Sequence, residues 1–97
     1  MQRRTKIIAT LGPSSCDMAM LEKLLEQHVD IVRINFSHGT KEQHITSIKN
    51  VRSAASNLGR EIAILADIQG PKIRISSFEN GHITIKEGDD LILDHNI

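Results

Sequence analysis

Two polar segments of this 97-residue chain carry the side chains best suited to chemistry: Ile31-Val-Arg-Ile-Asn-Phe-Ser-His-Gly-Thr40 and Ala66-Asp-Ile-Gln-Gly-Pro-Lys-Ile-Arg74. In the first segment Arg33, Asn35 and Ser37 occupy alternate positions of an extended stretch, so their side chains leave the same side of one strand. A guanidinium, an amide and a hydroxyl at a strand end suit an anionic substrate together with a cation or a nucleotide.

Arg33 has two readings on its residue type alone. It stands among Val32, Ile34 and other apolar residues, so its strand is largely buried and its charge needs a partner. That partner is either the anion of a ligand or a structural carboxylate such as Asp67 on the neighbouring strand. The residues by themselves favour neither reading.

Asn35, Ser37 and Asp67 together offer an amide oxygen, a hydroxyl and a carboxylate, which are hard oxygen ligands for a cation. The same residue types are also common as caps and turn residues at strand ends. His38 taken alone is a loop histidine bonded to backbone. Lys72 taken alone is a solvated residue at the start of an exposed strand.

The residues around these segments alternate between strand and helix patterns. Strands are predicted over 6–11, 31–36 and 61–66, each as a short apolar run. Helical spacing begins at Asp17, and Thr40 with Gln43 forms a capping-box pattern for a second helix that Gly59 ends. Consecutive βαβ units predict a parallel sheet with ligands at the carboxyl ends of its strands.

After Gly70-Pro71 the pattern changes to alternating apolar and polar residues, with Asn80-Gly81 as a two-residue hairpin signal. We therefore predict antiparallel strands here and a domain boundary near residue 70. The predicted domains are 1–70 and 71–97.

Both segments, and the opening Thr5-Lys-Ile-Ile-Ala-Thr-Leu-Gly-Pro-Ser-Ser15, resemble the motifs of pyruvate kinase in order and spacing, from about Arg4 to the last residue. The resemblance implies an α/β fold: the first βαβαβ units of a (β/α)8 TIM barrel in 1–70, and the opening antiparallel strands of a small β-barrel lid in 71–97. Since such a barrel needs about 250 residues, the chain is expected to be a fragment.

The resemblance also implies a function for the parent protein, a glycolytic phosphotransferase that moves the phosphoryl group of phosphoenolpyruvate to ADP, giving pyruvate and ATP. It implies Mg²⁺, whose ligands lie on later strands together with the catalytic lysine, so no catalytic residue is expected in this chain. The implied partners are phosphoenolpyruvate and ADP or ATP, with a homotetrameric parent.

Site residues follow from the same resemblance. Arg33 is implied to bind the substrate phosphate. The implied monovalent-cation (K⁺) ligands are Asn35, Ser37, Asp67 and, by its backbone carbonyl, Ile68. The implied nucleotide-binding residues are Asn35, Phe36, Ser37, His38 and Arg74.

Two positions depart from the family pattern. Lys72 stands where many potassium-dependent members have glutamate, and its ammonium could replace the monovalent ion, so K⁺ is possible as a cofactor but not necessarily required. His28 stands where the family often has glycine at a helix end. The left-handed conformation expected there costs about 1 kcal/mol or more for a residue with a side chain.

Composition adds a few exclusions. The chain has 12 basic and 12 acidic residues, so it carries no electrostatic footprint for nucleic acid or anionic membrane. The single cysteine, Cys16, excludes an internal disulfide, and no apolar run has the length of a membrane span. A cytoplasmic location is therefore expected. Two alternatives remain: another barrel enzyme of phosphoenolpyruvate or pyruvate chemistry, and a non-catalytic folding unit or binding module.

Overall fold

A computed structural model describes residues 3–95, so residues 1, 2, 96 and 97 at the ends of the two predicted domains lie outside the described part. The elements in chain order are β1 (Ile8–Thr10), α1 (Met18–Glu26), β2 (Ile31–Asn35), α2 (Lys41–Leu58) and β3 (Ala63–Asp67). The predicted βαβαβ order is confirmed. Neither helix of the described residues is long and apolar enough to cross a membrane.

Helix α1 begins where Asp17 caps it, because the Asp17 side chain accepts a hydrogen bond from the Met20 backbone N–H at 3.0 Å. Its inner face carries Leu21 and Leu25, which are fully buried. The chain leaves the helix through His28 at φ 68°, the left-handed conformation expected from the sequence.

Helix α2 has the predicted signals at both ends. The Thr40 hydroxyl accepts from the Gln43 backbone N–H at 3.2 Å, and the Gln43 side chain accepts from the Thr40 N–H at 2.9 Å. Gly59 ends the helix at φ 64°, a left-handed conformation that glycine adopts without strain because it has no side chain. The face between these ends packs Val51, Ala54 and Ala55 into the core.

The sheet is parallel with strand order β1-β2-β3, and both neighbours of β2 are in register with it. Val32 and Ile34 of β2 point toward the two helices and are buried, and Ala9 and Ile64 of the flanking strands pack against the same core. The helices therefore cover one face of the sheet. We call the other side the open face; it carries Ile8, Thr10, Ile31, Arg33, Asn35, Ala63, Leu65 and Asp67.

The antiparallel strands predicted after Gly70-Pro71 are not seen, because residues 71–95 contain no strand. Two turns are present instead, one closed by the Gly81 N–H to the Phe78 carbonyl at 3.0 Å and one by the Asp89 N–H to the Lys86 carbonyl at 3.1 Å. The apolar side chains of the segment are exposed, up to full exposure at Ile73. Isolated strand pairs are marginal in water, and here no sheet or helix lies behind them to bury their apolar face.

Candidate functional site

Arg33 forms hydrogen bonds to both flanking strands, on the open face of the sheet near the carboxyl ends of those strands. Its Nη1 donates to the Thr10 hydroxyl of β1 at 3.2 Å. Its Nε donates to Asp67 Oδ2 of β3 at 3.1 Å, and its Nη2 donates to the same oxygen. The Arg33 side chain is 31% exposed, so this ion pair lies at the surface of the chain, within reach of a ligand.

The reading of Arg33 as a partner of Asp67 is therefore confirmed as a contact. It does not exclude anion binding, because an arginine has five N–H donors and these contacts occupy three of them. Both nitrogens on the Asp67 side converge on Oδ2, so the carboxylate keeps Oδ1 as a second acceptor.

The turn after β2 brings Asn35, Ser37 and Lys72 together. Asn35 Oδ1 accepts from the Ser37 backbone N–H at 3.0 Å, which is the turn role expected for an asparagine at a strand end. The Ser37 hydroxyl accepts from the Lys72 ammonium at 2.7 Å across 35 residues of chain. The Phe36 N–H donates to the Asp67 carbonyl at 3.0 Å and ties this turn to β3.

The first turn of helix α2 packs against the loop that follows β2. The Phe36 and His44 rings meet edge to face with centroids 4.5 Å apart. Gly39 lies at φ 84° so close to α2 that an added Cβ would meet Gln43 Oε1 at 2.9 Å. A side chain at position 39 would therefore displace the capping glutamine.

The oxygen atoms predicted to bind a monovalent cation are of a type that fits such an ion, but positively charged side chains already contact two of them. Lys72 donates to Ser37, and Arg33 donates to Asp67. Asn35 engages its amide oxygen with the backbone of the turn. Of these oxygen ligands, the Ser37 hydroxyl is the one that the Lys72 ammonium contacts.

The side chains of His38, Ile68 and Arg74 are exposed and make none of the contacts described above. His38 is exposed, and its backbone N–H donates to the Asn35 carbonyl at 3.3 Å. Ile68 is 76% exposed just after β3, and Arg74 lies in the exposed segment that follows. Within residues 3–95, no group of three or more His, Cys, Asp or Glu side chains forms a metal-binding cluster.

Sequence reasoning missed two contact residues, Thr10 and His44. A partial signal for Thr10 is its place in the first predicted strand, but the register that sets it beside Arg33 comes from the structure. His44 carried no such signal, because its contact with Phe36 depends on how α2 leaves the turn.

At the opposite, amino end of the strands, a second polar cluster stabilises the fold. The Asp30 carboxylate accepts from the Ile7 backbone N–H at 2.8 Å and from the Arg3 guanidinium at 3.4 Å. The hydrogen bond from Ile7, supported by the charges of Lys6, Arg3 and Arg60, holds the pKa of Asp30 below its ordinary value of 3.8.

Comparison with known proteins identifies the family. The family model described as the pyruvate kinase barrel domain matches residues 2–97. The chain belongs to the pyruvate kinase barrel-domain family. Pyruvate kinase of Haemophilus influenzae is 51% identical over 92 residues, which are 95% of this chain and 19% of that protein. Pyruvate kinase II of Salmonella typhimurium is 47% identical over 95 residues, which are 98% of this chain and 20% of that protein.

The fold agrees with a solved pyruvate kinase structure. The crystal structure of Cryptosporidium parvum pyruvate kinase matches with a TM-score of 0.78 and 38% identity, over 84% of this chain and 17% of that one. The chain therefore spans about a fifth of the length of the pyruvate kinases it matches. The family relation and the parallel βαβαβ fold are consistent with the start of a pyruvate kinase barrel.

Proposed function

We propose that this chain supplies the phosphate-binding and cation-binding corner of a pyruvate kinase. In that reaction the phosphoryl group of phosphoenolpyruvate passes to ADP, giving pyruvate and ATP. The observation that carries the proposal is Arg33, held between Thr10 and Asp67 at the carboxyl end of the sheet with N–H donors to spare. This is where α/β sheets bind their ligands.

In this proposal Arg33 binds the substrate phosphate. The oxygens of Asn35, Ser37 and Asp67, with the Ile68 carbonyl, hold positive charge beside it. The 2.7 Å contact between Lys72 and Ser37 supports the idea that the Lys72 ammonium supplies that charge in place of K⁺. The nucleotide edge of the site is assigned to Asn35, Phe36, Ser37, His38 and Arg74.

Magnesium enters the proposal through parts of the protein beyond these 97 residues. A divalent ion neutralises the charge that develops on a transferred phosphoryl group. The residues of this chain bind and orient the phosphate, while the ion's ligands and the catalytic lysine belong to later strands. The same proposal makes 1–70 the start of a (β/α)8 barrel and 71–97 the start of a lid.

The test is a full-length chimaera in which this chain replaces the matched segment of the Haemophilus influenzae enzyme. The unmodified chimaera should form ATP from phosphoenolpyruvate and ADP with magnesium present. Arg33→Ala should lower kcat/KM for phosphoenolpyruvate by roughly 10- to 150-fold, because a charge-assisted hydrogen bond contributes about 1.5 to 3 kcal/mol.

Arg4→Ala is the matched control, since Arg4 is an exposed arginine near the amino terminus. It should leave kcat/KM unchanged. A chimaera with Arg33→Ala that retains full kcat/KM would make Arg33 a structural partner of Asp67 and remove the main support for the proposal.

A further inference from the structure

Asp67 alone does not fix the orientation of the Arg33 guanidinium. Both of its contacts end on one oxygen, Oδ2, so the planar group can pivot about that point. A fork that meets two separate carboxylate oxygens would hold the plane more firmly. A further contact on the other side of the guanidinium is therefore needed to define its direction.

Thr10 provides that contact. It stands beside Arg33 in the parallel register of β1 and β2, and its hydroxyl accepts from Nη1 at 3.2 Å. Because Thr10 and Asp67 belong to strands on opposite sides of β2, the guanidinium is held from both sides. One N–H on Nη1 and one on Nη2 remain, which is the number that a two-point contact with a phosphate uses.

We propose that Thr10 is a positioning residue: its hydroxyl sets the plane of the Arg33 guanidinium so that the two remaining N–H donors face the substrate phosphate. The inference rests on the proposed function, because that function supplies the phosphate. The contact between Thr10 and Arg33 is independent of the proposed function. The side chain of Thr10 acts through Arg33 and touches no reacting atom.

The first test uses the 97-residue chain with ¹⁵N-labelled arginine and follows the guanidinium N–H signals of Arg33 by NMR. Hydrogen bonds on both sides slow rotation of the guanidinium, so the unmodified chain should show separate Nη signals for Arg33 at low temperature. Thr10→Val, which keeps the branched shape and loses the hydroxyl, should merge or broaden them. Thr10→Ser should restore them, whereas Thr46→Val on the exposed side of α2 should change nothing.

The second test uses the full-length chimaera. Thr10→Val should raise KM for phosphoenolpyruvate roughly 2- to 10-fold, as expected for one neutral hydrogen bond, and leave KM for ADP and kcat unchanged. Thr10→Ser should recover most of the loss. In an Arg33→Lys background, Thr10→Val should cause no further change, because the group that it orients is gone.

The failures of the two proposals are distinguishable. Unchanged Arg33 signals in Thr10→Val overturn the positioning contact, whatever the activity of the chimaera. An equal rise in KM with and without the Arg33 guanidinium would overturn it as well and make Thr10 a residue of strand packing. An unmodified chimaera without activity overturns the proposed function instead, and with it the phosphate role of Thr10.

Discussion

His28 offers a direct measurement of backbone strain in this fold. It follows α1 at φ 68°, a conformation that glycine adopts without cost, and its side chain is exposed. Its carbonyl accepts a hydrogen bond from Arg3, but that acceptor belongs to the backbone and survives a change of side chain. His28→Gly should therefore relieve strain without removing this contact.

The magnitude follows from two opposing terms. The left-handed conformation costs a residue with a Cβ roughly 1 to 2 kcal/mol. Glycine returns roughly 0.5 to 1 kcal/mol of this, because it loses more conformational freedom on folding. We expect a net gain of about 1 kcal/mol in the free energy of unfolding, which raises Tm by about 4 to 8 °C in a domain of this size.

The assay is urea and thermal unfolding of the 97-residue chain, followed by circular dichroism, with two matched controls. His28→Ala keeps the strain and removes the imidazole, so it should gain nothing. Gly59→His is the reverse exchange at the end of α2, where φ is 64° and an added Cβ would meet no atom within 4 Å. It should lower the free energy of unfolding by about 1 kcal/mol.

A decrease in stability on His28→Gly would refute the reasoning. It would mean that the imidazole contributes more than the strain costs, and His28→Ala, which keeps the strain, would then show a larger decrease. Equal gains from glycine and alanine would instead locate the effect in an unfavourable contact of the imidazole.

Three further predictions concern charge and the extent of the chain. In the chimaera, Lys72→Glu should create a potassium requirement, because it removes the ammonium that contacts Ser37 and adds a carboxylate. The measurement is the steady-state rate in potassium and in a bulky organic cation. Strong potassium activation of the unmodified chimaera would contradict the prediction. The 97-residue chain alone should form no ATP in a coupled assay with magnesium, and measurable turnover would overturn the division of roles proposed above. Because the pKa of Asp30 is lowered on folding, its contribution to stability is complete above its ordinary value of 3.8 and is lost as pH falls through the folded value. Asp30→Asn should therefore flatten the dependence of the free energy of unfolding on pH in this range, measured by urea unfolding at a series of pH values. An unchanged slope would contradict the assignment.

Local signals in the sequence were enough for the helix ends and for the alternation of strands and helices along the chain. Thr40 and Gln43 satisfy each other's backbone groups within one turn, and Gly59 adopts its left-handed conformation through its own lack of a side chain. Such interactions involve residues close in the chain, so their spacing predicts them. The boundaries shifted by one or two residues, for example β3 at Ala63–Asp67 instead of 61–66.

The segment after Gly70-Pro71 shows where such signals stop. Its alternating residues are compatible with strands, and a turn does form here, but its central residues are Glu79 and Asn80, and Gly81 follows them at φ 82°. A strand also needs a partner with free backbone groups and an apolar surface to cover. In the structure residues 71–95 pair with no strand and their apolar side chains stay exposed, so the pattern is present and the sheet is not.

The sequence by itself determined which side chains share a strand face: Arg33 and Asn35 leave β2 on the open face because side chains alternate along any strand. Only the tertiary structure decided what Arg33 contacts. Its bonds to Thr10 and Asp67 span 23 and 34 residues of chain, and the contact between Lys72 and Ser37 spans 35. These contacts form only after both helices have packed on one side of the sheet and brought three strand ends together, because no local preference of the chain joins residues so far apart.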